Sequence, residues 1–123
     1  FDFVRCKSYK GTESSGEVQI GLEGGADPAT FAGQHVLLIE DIIDTGTTMS
    51  KLVPYMAKLG TASVRVATLL QKRTPRSIGF VGDYVGFSIP DAFVVGYCLD
   101  YNEVFRDMEH IGVINARGIE RYK

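Results

Sequence analysis

The sequence predicts an α/β architecture, a mostly parallel twisted sheet flanked by helices, on three observations. Residues 36–39 form an aliphatic run of the kind that fills a strand buried on both faces. Met49, Leu52, Val53, Met56 and Leu59 then recur at helical spacing, and residues 64–70 return to strand composition. Strand, helix and strand at this distance imply a right-handed crossover between parallel neighbours.

Taken in order, Phe1-Asp2-Phe3-Val4-Arg5 reads as a strand already under way, with no initiator Met. At a period of two, Phe1 and Phe3 share one side and Val4 and Cys6 the other, so both faces are partly apolar, as in a covered strand. Residues 10–30 are polar and rich in glycine, with Val18, Ile20 and Leu22 alternating as a short strand. A stretch of that length is either a solvated connector or a functional lid. The helix after the central strand ends at Gly60, its C-terminal cap, and contains Pro54, which removes one helical hydrogen bond and can kink it. Beyond Lys72, Arg73-Thr74-Pro75-Arg76-Ser77 is a turn, because Pro75 cannot extend a ladder and restrains Thr74 before it. Residues 83–89, 93–97 and 111–114 are further short strands, and a charged tail runs to Lys123.

A chain of 123 residues, 45% of them apolar, suits a single domain spanning residues 1–123. A net charge of −2 with scattered Lys and Arg leaves no basic stripe for a nucleic-acid backbone. Cys6 and Cys98 lie far apart without a Cys-x-x-Cys or His-rich context, which reads as two free thiols in a reducing, cytoplasmic setting. The start has no signal-peptide pattern, and no apolar stretch reaches the roughly 20 residues that span a bilayer, so no membrane partner is expected.

The chemistry concentrates where the central strand ends. Glu40 and Asp41 follow the aliphatic run, and Asp44, Thr45, Gly46, Thr47 and Thr48 precede the helix. Hydroxyls and a glycine ahead of a helix suit a loop that wraps a phosphate, since free N–H groups and the helix dipole both favour an anion there. The loop lacks both the P-loop pattern and Gly-x-Gly-x-x-Gly, so amides and hydroxyls must do the holding. Adjacent acids accept hydrogen bonds from vicinal hydroxyls, so the phosphate would belong to a sugar. The plainer alternative is a strand end whose acids face water.

Residues 36–49 resemble the phosphoribosyl pyrophosphate signature of type I phosphoribosyltransferases. Residues 70–77, 93–97, 99–103 and 105–107 are similar to the hypoxanthine-guanine branch of that family. The resemblance runs from Phe1 to the end and covers the later part of the family's usual length, which implies a type I phosphoribosyltransferase-like domain lacking its N-terminal part. It implies an enzyme of purine salvage that joins phosphoribose from phosphoribosyl pyrophosphate to N9 of hypoxanthine or guanine with Mg²⁺ present, and a homodimer or homotetramer. By the same resemblance Glu40 and Asp41 hold the ribose hydroxyls, with Asp100 a metal ligand and the acid pair candidate metal ligands too. Asp44, Thr45, Gly46, Thr47 and Thr48 cradle the 5′-phosphate, and Asp44 is the proton-transfer group. Lys72 donates to the oxygen at purine C6, Phe93 stacks on the base, Val94 meets it through its backbone, and Arg106 contacts pyrophosphate. Ser8 and Tyr9 stand at the foot of a mobile active-site loop within residues 10–30. Thr47 replaces a lysine common in relatives, and the family's pyrophosphate loop has no match here. A non-catalytic binder of phosphoribosyl pyrophosphate or a nucleotide, acting as a regulator, is the rival reading.

Overall fold

The computed structural model describes residues 1, 3–8, 18–22 and 27–123, which include two compact units, Phe1–Ser88 and Ile89–Lys123. In the first, β1 (Val4–Ser8) pairs antiparallel with β2 (Val18–Leu22), Cys6 opposite Ile20. A 3-10 turn, Pro28–Phe31, is capped by Asp27 and leads into β3 (His35–Ile43), which α1 (Thr47–Lys58) connects to β4 (Ser63–Arg73). With β5 (Tyr84–Pro90) these form a three-stranded sheet in the order β3-β4-β5. β3 and β4 are parallel, from His35 opposite Ser63 to Ile43 opposite Gln71. The expected parallel strand-helix-strand connection is therefore present.

The core lies where α1 covers this sheet. Met49, Leu52 and Met56 fall on one stripe of the helix and close over Ile43 and Val66, with Met56 wholly buried. Side chains of this size contribute roughly 1.5–3 kcal/mol each when removed from water. The helix runs unbroken through Pro54, which lies on its exposed side, where water can satisfy the carbonyl that the proline leaves without a donor. Leu59 is the C-cap, and Gly60 follows it in the left-handed region at φ +80°.

The strand expected to be buried on both faces is covered on one. Val36 and Leu38 pack against the core, while Leu37 and Ile39 on the opposite face are 52% and 75% exposed. β1 shows the same asymmetry. It begins at Val4 rather than Phe1; Val4 and Cys6 turn to the core, and the rings of Phe1 and Phe3 meet edge to face at 5.8 Å outside it.

In the second unit the expected strands shorten to β6 (Val94–Val95) and β7 (Gly112–Val113), paired antiparallel. Gly96 at φ +91° turns the chain out of β6 at once. The charged tail contains a short helix, α2 (Ala116–Arg121), whose N-cap Asn115 accepts a hydrogen bond from Gly118 N at 2.9 Å.

Candidate active site

The parallel register decides which side chains meet at the carboxyl end of the sheet. Ile43 stands opposite Gln71, so Asp44, the first residue past β3, comes beside Lys72 near the end of β4. Lys72 Nζ lies 3.6 Å from Asp44 Oδ1, and its side chain is 9% exposed, far from the usual surface setting of a lysine. Arg76 Nη2 reaches the same oxygen at 3.4 Å from the turn after β4.

Between Asp44 and the helix, Gly46 is the N-cap of α1 at φ +88° and offers no side-chain cap, and the first turn carries no acid. A Cβ on Gly46 would lie 2.7 Å from Phe80 Cβ, so both conformation and space require glycine. Thr45 Oγ1 and Thr47 Oγ1 share a hydrogen bond at 2.9 Å, and Thr47 N makes a long contact of 3.4 Å to Thr45 Oγ1. Thr47 and Thr48 are exposed at the mouth of the helix. A twelve-residue helix whose first N–H groups are so lightly engaged is electrostatically suited to an anion.

Glu40 stands opposite Thr68 and lines an open cavity of about 1210 Å³ together with Cys6, Thr48 and Met49. Burial, followed by the neighbouring Asp41 charge and a hydrogen bond with Asp41, pushes the Glu40 carboxyl up to about 7. Burial, with Glu40 second, also raises the Cys6 thiol. Asp41 is exposed, outside that lining, and its Oδ1 accepts from Ile42 N at 2.6 Å.

The second unit carries the other expected residues. Phe93 is half exposed and meets Tyr101 edge to face at 5.4 Å; Val94 stands opposite Val113 in the short ladder. Two tight turns follow, bridged Gly96 to Leu99 and Tyr101 to Val104. Their central residues, Tyr97, Cys98, Asn102 and Glu103, all have positive φ, the geometry of type I′ turns at positions without glycine. Asp100 is held between these turns, with Oδ2 accepting from Glu103 N at 2.8 Å and Oδ1 paired to Arg106 Nη2 at 3.1 Å. Arg106 also donates to Cys98 O at 2.9 Å. The two residues expected on metal and pyrophosphate are thus ion-paired with each other.

Of the expected loop foot, Ser8 forms the last rung of β1 opposite Val18, and Tyr9 lies outside the described residues, as does most of the expected active-site loop. Its Val18–Leu22 portion is strand β2. Cys6 and Cys98 are free thiols. Among the described residues no helix is long and apolar enough to cross a membrane, and no three His, Cys, Asp or Glu side chains converge as a metal cage. Arg76 reaches Asp44 although Thr74-Pro75-Arg76 signals only a turn in the sequence.

A parallel β3-α1-β4 crossover that sets an uncapped helix N-terminus beside two strand ends defines the class, an α/β protein of the phosphoribosyltransferase fold. The chain belongs to the phosphoribosyl transferase domain family, whose model matches residues 1–102. It is 52% identical over 122 residues to the hypoxanthine-guanine phosphoribosyltransferases of Bos taurus and Homo sapiens, covering 99% of this chain and 55% of each relative. Phosphoribosyltransferase domain-containing protein 1 of Homo sapiens is 53% identical over 99% of this chain and 53% of its own. The chain therefore spans about half the length of the curated relatives it matches. Among solved structures, a hypoxanthine phosphoribosyltransferase from Staphylococcus aureus superposes with a TM-score of 0.81 at 41% identity, over 99% of this chain and 64% of that one. The hypoxanthine-guanine phosphoribosyltransferase from Schistosoma mansoni in complex with IMP gives 0.75 at 49% identity, over 81% of this chain and 50% of that one.

Proposed function

We propose that this chain forms part of a purine salvage enzyme that transfers phosphoribose from phosphoribosyl pyrophosphate to N9 of hypoxanthine or guanine, giving IMP or GMP and pyrophosphate. The observation that carries the reading is the Asp44-Lys72 pair beside the uncapped start of α1, on a chain 52% identical to hypoxanthine-guanine phosphoribosyltransferases. The amides and hydroxyls of Thr45, Gly46, Thr47 and Thr48 receive the 5′-phosphate, and Glu40 and Asp41 accept hydrogen bonds from the ribose hydroxyls. Phe93, with half its surface open, stacks on the base, and Val94 meets the base through its backbone.

Asp44 serves as the proton-transfer group at the purine. Its carboxylate also opposes the positive charge that spreads over ribose and base as pyrophosphate leaves. Lys72 faces the oxygen at C6. An ammonium offers three donors and no acceptor, so the amino group of adenine leaves an unpaired donor at a buried position, at a cost of about 1–3 kcal/mol.

Asp100 is the residue that fits Mg²⁺, which keeps several waters and uses one or two carboxylates with substrate phosphates rather than a full protein cage. Its oxygens each hold one partner and retain a lone pair for a water or an ion. When bound, the ion neutralises charge on the departing pyrophosphate. Arg106 supplies forked donors to the same group. By the family resemblance Ser8 and Tyr9 would contribute to substrate binding, and the active protein is a cytoplasmic homodimer or homotetramer.

The test is to mix the native protein with phosphoribosyl pyrophosphate, Mg²⁺ and hypoxanthine and to follow inosinate. Product forms with hypoxanthine or guanine, and adenine is converted about 5- to 150-fold less efficiently, as about 1–3 kcal/mol for the unpaired donor requires. A folded sample that binds phosphoribosyl pyrophosphate and yields no nucleotide would overturn the proposal in favour of a regulator.

A further inference from the structure

The turn after β4 grips the phosphate loop at three consecutive residues. Arg76 reaches Asp44, Ile78 N donates to Thr45 O at 3.0 Å, and Phe80 packs against Gly46. The turn is itself braced. Thr74, buried, accepts from Arg76 N through Oγ1 at 3.3 Å and from Ser77 N through its carbonyl at 3.1 Å. The Gln71 amide closes the other side, donating to Phe80 O at 2.8 Å and accepting from Gly82 N at 3.0 Å. Arg76 is thus carried on a built bracket rather than on a loose surface loop.

Both cations approach Asp44 at one oxygen, Oδ1, which leaves Oδ2 as the oxygen offered to a ring nitrogen. The two cations are not equivalent. Lys72 is buried beside the strand end and is the donor assigned to the base, whereas the Arg76 side chain is 61% exposed. When the ammonium turns to the purine oxygen, its attraction for Asp44 weakens, and the carboxylate would be free to rotate. A forked guanidinium on a fixed turn can keep hold of it. An ion pair this exposed adds little to stability, so its value lies in orientation.

We propose that Arg76 is a positioning residue for Asp44, fixing the carboxylate by Oδ1 so that Oδ2 faces the purine while Lys72 engages the base. The proposal rests on Asp44 as the proton-transfer group of the transferase reading above. In the native protein, Arg76→Ala should lower kcat for inosinate formation about tenfold or more and leave the KM for phosphoribosyl pyrophosphate within about threefold. Arg76→Lys, which keeps the charge and loses the fork, should recover part of the rate. Adding Arg76→Ala to Asp44→Asn should change kcat by less than about twofold, because the group through which Arg76 acts is already lost. Should the alanine variant fail to fold by circular dichroism, Arg76→Lys and Arg76→Gln carry the comparison, with the glutamine form the slower.

An active wild type with an unaffected alanine variant, or a double variant in which the two losses multiply, would overturn the role of Arg76 and leave the transferase reading intact. A folded wild type that makes no nucleotide would overturn both.

Discussion

Gly46 shows how little freedom the site allows at a single residue. It combines φ +88° with a neighbour, Phe80 Cβ, that a side chain would strike. Gly46→Ala should therefore cost about 1–3 kcal/mol in denaturant unfolding, and it should raise the KM for phosphoribosyl pyrophosphate more than it lowers kcat. Glu40 gives a pH signature. Its folded carboxyl holds a proton up to about 7, against 4.5 ordinarily, so the folded state binds protons more tightly. The resulting stability is complete below pH 4.5 and is lost as pH rises to about 7. Thermal unfolding of the wild type should lose ground to Glu40→Gln across that interval, and parallel curves would show the carboxyl to be unperturbed. At this scale the acid pair and the hydroxyl-rich loop were legible because they follow an aliphatic run and precede a helical pattern, and Lys72 through the family resemblance of residues 70–77. Arg76 was not, since nothing local in Arg73-Thr74-Pro75-Arg76 says that the turn folds back onto Asp44.

Among the elements, α1 was the most legible, because five apolar residues at a period near 3.6 leave one stripe to bury. Met56 is the centre of that stripe and wholly buried. Met56→Ala should destabilise the first unit by about 2–5 kcal/mol in chemical denaturation, and a loss below about 1 kcal/mol would mean that α1 is not seated on the sheet. β3 was only half legible. Composition says that Val36, Leu37, Leu38 and Ile39 suit burial, but it cannot say what stands on each side, and here Leu37 and Ile39 are open. The turns around Asp100 were the least legible. Tyr97-Cys98 and Asn102-Glu103 lack the glycine that announces positive φ, and the pairing of Asp100 with Arg106 depends on that fold-back.

At the scale of the whole molecule, the expected functional residues fall into two sets. Glu40, Asp41, residues 44–48 and Lys72 belong to the first unit, and Phe93, Val94, Asp100 and Arg106 to the second. The first set is organised by the parallel register of β3 and β4, the second by two tight turns and an ion pair. The crossover was readable because it follows from element order and chain handedness, whereas the division into two units was not, because no composition shift marks it near Ser88. The central claim is that a loop at the start of α1 holds a phosphoribosyl group while Asp44 moves a proton at the purine. Asp44→Asn in the native protein tests it most directly, with kcat for inosinate formation and the Kd for inosinate measured on the same sample. The account predicts a fall in kcat of about a hundredfold or more with the Kd changed by less than about threefold. Equal losses in turnover and binding would contradict it.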